Sequence, residues 1–109
     1  MAFKREKVLA AAQKYASKGQ HEKAAREFQA VVDNDPADLR IWLMLADSLA
    51  RAGKPQEASD KYFRAARAYH EQKEYSKALA VYRQVLGVDP KRIDVYLKCA
   101  DLHAELVAP

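Results

Sequence analysis

Several kinds of residue are scarce in this 109-residue chain, and each scarcity closes a door. Cys99 is the one cysteine, so no intrachain disulfide can form and a reducing compartment is expected. Three glycines, set far apart, cannot build a phosphate-cradling loop. No apolar run approaches the ~20 residues that a membrane-spanning helix needs. The opening Met1-Ala-Phe-Lys-Arg-Glu-Lys-Val8 has no long apolar run of the kind a secretion signal carries. A soluble, cytoplasmic protein is expected. Charge of one sign is also scarce: 19 basic residues face 15 acidic ones, a net +4. The excess lies at the start, where Lys4, Arg5, Lys7, Lys14 and Lys18 meet Glu6 alone. Such a helix can touch nucleic acid or an anionic surface in a salt-dependent way. No aromatic or Gly-rich nucleic-acid motif accompanies it, so a solvated helix face is the favoured reading.

What is present favours helix. Half the residues are hydrophobic and 31% are charged, which excludes a disordered chain. Ala, Lys, Glu, Leu and Arg are abundant, all good helix formers. The clearest stretch runs from Trp42 to Ala65, with Trp42, Leu45, Ala46 and Leu49 at helical spacing. It turns at Gly53-Lys54-Pro55 and resumes with Ala58, Tyr62 and Ala65. Less complete versions flank it. A first helix is predicted from about Phe3 to Ser17 (stripe Val8, Ala11, Ala12, Tyr15), ended at Gly19, which suits the left-handed residue after a helix. A second, about His21 to Asp33, carries Ala24, Phe28, Val31 and Val32. The connection is too short for anything but an antiparallel hairpin.

Asp35 is the expected N-cap and Pro36 the first residue of the third helix, about Ala37 to Arg51. A calcium loop at Asp33, Asp35 and Asp38 is set aside, because its central glycine and distal Glu are missing. A fourth helix, about Pro55 to Gln72, carries Ala58, Tyr62, Ala65, Ala66 and Tyr69, with Phe63 to one side. That wide band implies neighbours on two flanks. The fifth, about Tyr75 to Leu86, is closed by Gly87-Val-Asp89-Pro90. The sixth, about Lys91 to Leu106, carries Ile93, Tyr96, Leu97, Ala100, His103 and Val107. Hairpins at about 3–34, 37–72 and 75–107 are expected within a single domain.

Gly19, Ala24 and Phe28 reappear 34 residues later as Gly53, Ala58 and Tyr62. Ala78, Tyr82 and Pro90 repeat Ala24, Phe28 and Pro36 at a displacement of 54, one period plus 20. A 34-residue period of helical hairpins resembles the tetratricopeptide repeat (TPR), on Trp42-x-x-Leu45-Ala46-x-x-Leu49, Gly53, Ala58, Tyr62 and Ala65. The resemblance covers nearly the whole chain and implies an all-α, TPR-like solenoid of about six helices in stacked antiparallel hairpins. The departure from a strict period leaves two arrangements open. Either the fourth helix is shared by two overlapping repeats, or the fifth and sixth form an ordinary, degenerate third hairpin. Phe63 and the wide band favour the first.

The resemblance also implies a concave, non-catalytic surface lined by first helices, on which a peptide or helix partner lies. Its residues would be Leu9, Gln13 and Ser17 on the first helix and Arg40, Leu43, Asp47 and Arg51 on the third. Arg64, Arg67 and His70 would join them if the fourth helix is shared, and the sixth would add Asp94, Lys98 and Asp101. Some family members hold a chaperone C-terminal carboxylate through a Lys and an Asn four apart. Those places are Leu9 and Gln13 here, so that activity is not carried over. Cys99 and His103 share a helix face, yet no further ligands accompany them; a packing role for Cys99 is favoured over a metal or nucleophile. No cofactor, metal or catalytic residue is expected. The chain ends without a polar capping helix, leaving Ile93, Leu97, Leu106 and Val107 partly uncovered. The chain is therefore expected either to be an excerpt of a longer protein or to self-associate through its C-terminal helix. The leading expectation is an adaptor or scaffold for a protein segment; self-association is the alternative, and salt-dependent binding through the basic first helix comes third.

Overall fold

The computed structural model describes residues 2–108. Among these residues six helices follow one another: α1 (Arg5–Ser17), α2 (His21–Asn34), α3 (Leu39–Arg51), α4 (Pro55–Glu71), α5 (Tyr75–Val88) and α6 (Ile93–Val107). Each packs chiefly on its neighbours in sequence, and the stack measures 49 × 28 × 19 Å. No strand occurs among the described residues.

Two kinds of turn join the helices. After α1, Gly19 has φ 75°; its N–H donates to the Ala16 carbonyl (3.1 Å), and the Gln20 N–H donates to Tyr15 (2.9 Å). This paired closure satisfies carbonyls that the helix end would otherwise orphan. After α3, Gly53 (φ 79°) and Lys54 donate to Ala50 and Leu49 in the same way. After α4, Lys73 (φ 63°) and Glu74 donate to His70 and Tyr69. The α2–α3 and α5–α6 turns are instead Asp-Pro turns, where Asp35 and Asp89 N–H groups donate to Val31 and Val85 (2.8 Å each). Helix α4 is thus flanked by the same tight turn on both sides. It closes one hairpin with α3 and opens another with α5, which is why the period shortens to 20 between Gly53 and Lys73.

The core is continuous through the stack. Ala12, Ala24, Ala46, Ala58, Ala65, Ala66 and Ala78 are fully buried at helix crossings, where small side chains let backbones approach. Phe28, Trp42, Leu45, Tyr62 and Tyr82 fill the space between them. Phe63 and His70 of α4 pack on Tyr82, with ring centroids 5.8 and 6.4 Å apart. Trp42 also donates its indole N–H to the Pro36 carbonyl (2.9 Å), tying the α2–α3 turn to the core.

Several boundaries differ from the sequence reading. Asp38, not Asp35, caps α3: its carboxylate accepts the Arg40 N–H (3.2 Å), and Pro36 lies in the turn before the helix. Helix α1 starts at Arg5 rather than Phe3. Gly87 does not close α5, which continues to Val88, because α5 packing continues to Val85 and Leu86 and the Asp-Pro turn supplies the stop. The largest correction is the stripe assigned to α6. Ile93, Tyr96, Leu97, Ala100, His103 and Val107 are exposed, and Val95 and Leu102 are the buried residues, with Cys99 half-buried. Helix α6 meets α5 alone among its extensive contacts, so only the face turned to α5 is covered.

Candidate functional site

Helix α2 packs on both α1 and α3, and residues of all three helices line a cavity of about 400 Å³. Its apolar part is Ala16, Phe28 and Met44, of which Phe28 is buried and Met44 is 37% exposed. Its polar rim is Gln13, Ser17, His21, Asp47, Ser48 and Arg51. Helical spacing explains the gathering. Gln13 and Ser17 are four apart on α1, and Asp47 and Arg51 are four apart on α3, so each pair shares a face.

The rim is held from below. The Tyr62 hydroxyl, on α4, donates to the Asp47 carboxylate. Burial pushes the Tyr62 phenol well above its ordinary range, and the bond to Asp47 and that carboxylate's charge push it further. Asp47 is therefore oriented by a protonated phenol where it lines the cavity. Arg51 makes no ion pair or side-chain hydrogen bond among the described residues. His21 lines the same cavity, and its Nδ1 atom is buried with no hydrogen-bond partner among the described residues.

The predicted residues fall in three groups. Gln13, Asp47 and Arg51 line the cavity, with Ser17. Arg64 and Arg67 line a second hollow with Pro36 and Leu39, where the Arg64 guanidinium lies 4.4 Å from the Trp42 ring centroid and Arg67 pairs with Glu71 (3.4 Å). The remaining seven lie outside both, His70 packing on Tyr82 and Lys98 exposed on α6. Leu9 and Leu43 are half-buried against the core, and Arg40 is drawn to Asp38 (3.4 Å). Asp94 is held by Arg92 (2.8 Å), whose hydrogen bond keeps its carboxyl below the ordinary range. Asp101 is exposed on α6. Sequence reasoning did not place Phe28, Met44 or His21 at the site. Phe28 belongs to a second helix and reads as core, and the signal for Met44 was its adjacency to Leu43 and Asp47 on the same helix.

Two clamps set the spacing of the helices. Arg5 of α1 reaches Asp38 (2.8 Å) and Asp35 (3.7 Å), so this member of the basic cluster is already engaged. Burial works against the Asp38 carboxylate, yet the Arg40 hydrogen bonds and the charges of Arg40 and Arg5 win, and its carboxyl is lowered. At the other end Arg92 contacts Ser59 (3.3 Å) and stacks 4.4 Å from the Phe63 centroid, tying the α5–α6 turn to α4. His103 meets Arg83 (3.4 Å) rather than Cys99, whose thiol is pushed up by burial. Among the described residues no group of three or more His, Cys, Asp and Glu side chains is arranged to hold a metal.

The repeat and the paired tight turns agree with two family models. One described as tetratricopeptide repeat matches residues 9–69, and one described as TPR repeat matches residues 66–107. The chain belongs to the tetratricopeptide repeat family. The two matches meet on α4, the helix that serves two hairpins of this TPR protein. No curated relative matches it in sequence. Among solved structures, the chain is similar to the first TPR of Spaghetti (RPAP3) bound to an HSP90 peptide, with TM-score 0.51 and 18% identity over 96% of this chain and 94% of that one. It is similar to the Yersinia enterocolitica type III secretion chaperone SycD in complex with a peptide of the translocator YopD, with TM-score 0.51 and 19% identity over 93% and 88%. A tetratricopeptide repeat protein from Parabacteroides merdae gives TM-score 0.53 and 24% identity over 94% of this chain and 46% of that one. At these identities the likeness concerns the fold. Among the described residues no helix is long and apolar enough to cross a membrane.

Proposed function

We propose that this TPR protein is a non-catalytic interaction module that holds a protein segment in the α1–α3 groove. The observation that carries the reading is the cavity itself: an apolar floor at Phe28 and Met44 beside an Arg51 with no ion-pair partner among the described residues. That combination suits a peptide with one apolar anchor and a nearby carboxylate. The peptide complexes of the Spaghetti and SycD structures support the mode of use, not the identity of the ligand. Leu9 stands where a carboxylate-holding lysine would be, so the anchor chemistry shifts toward Arg51. A cytoplasmic setting suits the single, half-buried Cys99.

A displayed library of random seven-residue peptides tests this directly. Selected binders are expected to pair a Leu, Ile or Met with Asp or Glu. Their affinity is expected to fall at least about tenfold in Met44→Glu and in Arg51→Glu, because each removes an anchor of the bound segment. Arg26→Glu, on α2 and outside the cavity, is expected to bind as the parent does. Undiminished binding by both groove variants, with circular dichroism unchanged, overturns the reading.

A second reading, homo-oligomerisation through the C-terminal helix, is favoured by a different observation. Among the described residues, five of the six exposed large apolar side chains, namely Ile93, Tyr96, Leu97, Leu106 and Val107, lie on α6.

A further inference from the structure

Helix α4 and the helix after it repeat α3 and α4 at a displacement of 20: Ala46, Ala58 and Tyr62 return as Ala66, Ala78 and Tyr82, and Gly53 as Lys73. The cavity repeats as well. A hollow of about 490 Å³ is lined by Pro36, Leu39, Arg64, Arg67, Ala68 and Glu71. Five of these six stand 20 residues after Ala16, Met44, Asp47, Ser48 and Arg51, which line the α1–α3 cavity. Because α4 belongs to two hairpins, the chain carries the same kind of hollow twice, once beside α3 and once beside α4. The chemistry differs between them. Arg64 stands in the place of the apolar Met44, Arg67 in the place of Asp47, and Glu71 in the place of Arg51. The buried rings report the same reversal. The Tyr62 hydroxyl donates to Asp47, 15 residues before it. Arg67 lies 15 residues before Tyr82 and offers no acceptor, and the buried Tyr82 hydroxyl has no hydrogen-bond partner among the described residues.

We propose that the α4 hollow is a second binding site, one that takes an acidic protein segment with a carboxylate on each of Arg64 and Arg67. Three residues apart on a helix, the two side chains share a face. Each guanidinium presents a fork of N–H donors that matches a carboxylate. Arg64 lies 4.4 Å from the Trp42 ring centroid and makes no ion pair or side-chain hydrogen bond among the described residues, so it is oriented while its donors stay open. Arg67 meets Glu71 at 3.4 Å, but these side chains are 68% and 70% exposed, and an exposed pair of this spacing is weak. An incoming carboxylate can take the place of Glu71 on Arg67. Charge selects the class of partner. Two arginines against one glutamate favour an anion. Asp33, Asp35 and Asp38, around the turn that holds Pro36, oppose an extended polyanion such as RNA, whose charges continue past the hollow. A short acidic segment has no such continuation. The proposal stands apart from the α1–α3 groove and does not depend on a ligand there.

The test uses the full chain and a labelled peptide of alternating Glu and Ala, amide-capped so that it has no terminal carboxylate. Fluorescence anisotropy at about 0.1 M salt, where distant exposed charges are screened, is expected to give a Kd below about 1 mM. Arg64→Ala and Arg67→Ala, both at exposed positions, are each expected to weaken binding at least about fivefold with helicity unchanged. Glu71→Gln is expected to strengthen it about twofold, because it releases Arg67 from a weak pair. Met44→Glu, in the other cavity, and Lys91→Ala, which removes one charge in the α5–α6 turn, are expected to bind as the parent does. No binding at about 1 mM, or an equal loss in Lys91→Ala, overturns the proposal and leaves the α1–α3 reading standing. A loss confined to Met44→Glu overturns it as well, by placing the peptide in the α1–α3 cavity. Tighter binding of a single-stranded RNA of equal charge through the same two arginines overturns it by assigning the hollow to nucleic acid.

Discussion

Helices α3 and α6 come after the same Asp-Pro turn, and Trp42, Ala46 and Leu49 of one occupy the places of Tyr96, Ala100 and His103 of the other. In α3 those residues are buried; in α6 they face solvent. The difference does not come from the helices themselves. It comes from the neighbours each one has: α3 is closed by Gly53 and α4, while among the described residues α6 makes extensive contact with α5 alone. A first-helix pattern is therefore a statement about two interfaces, and burial requires that both be filled.

The largest expected effect arises from that contrast. Trp42→Ala is expected to cost about 3–5 kcal/mol, by removing a large buried ring and opening a cavity. Tyr96→Ala in the dilute monomer is expected to change stability by less than about 0.5 kcal/mol, as exposed substitutions do. Urea unfolding at low protein concentration measures both. Equal losses would mean that the α6 stripe is covered within one molecule.

A second pair sets one buried tyrosine against another. Tyr62→Phe loses the bond to Asp47 and is expected to cost about 1 kcal/mol. Tyr82 is fully buried, its hydroxyl has no partner among the described residues, and Tyr82→Phe is expected to be neutral or to stabilise by up to about 1 kcal/mol. The Tyr62 phenol is raised in the folded state, first by burial and then by Asp47. Its contribution is complete below the unfolded value near 10 and is lost as pH rises through the folded value, so the parent should lose alkaline stability that Tyr62→Phe does not. An equal alkaline loss in the variant would assign the effect to other groups.

The smallest effect concerns the turns. Lys73 holds the left-handed conformation that Gly19 and Gly53 hold elsewhere. Lys73→Gly is expected to stabilise by about 0.5–1 kcal/mol, since a side chain with Cβ is strained there. Gly53→Ala meets open space at its new Cβ, yet is expected to cost about 1 kcal/mol from backbone strain alone. If Lys73→Gly destabilised instead, the equivalence of the turns flanking α4 would fail.

Much of the stack was legible in the residues. The 34-residue spacing of Gly19 and Gly53, with Ala24/Phe28 and Ala58/Tyr62, announces hairpins, because a small residue and a ring recur where one helix crosses another. The double role of α4 was legible from Ala58, Tyr62, Ala65, Ala66 and Phe63 as a band too wide for one neighbour. The Asp38 cap was not distinguished from Asp35, since both precede the helix by plausible spacing and only backbone direction separates them. The candidate site was legible in part. Gln13, Asp47 and Arg51 could be placed by family register, but Phe28 reads as core from sequence, and Arg40 was drawn off by Asp38.

The sequence by itself determined the helices, the two kinds of turn and the shortened interval at α4. These depend on local periodicity and on residues such as Gly53 and Pro90 that restrict the backbone where they stand. The tertiary structure alone decided which of two apolar stripes on α6 is buried. Val95, Cys99 and Leu102 form one apolar stripe in the chain, and Ile93, Tyr96 and Leu97 form another. Burial is settled by which face meets α5, a property of how helices are placed in space and not of either stripe.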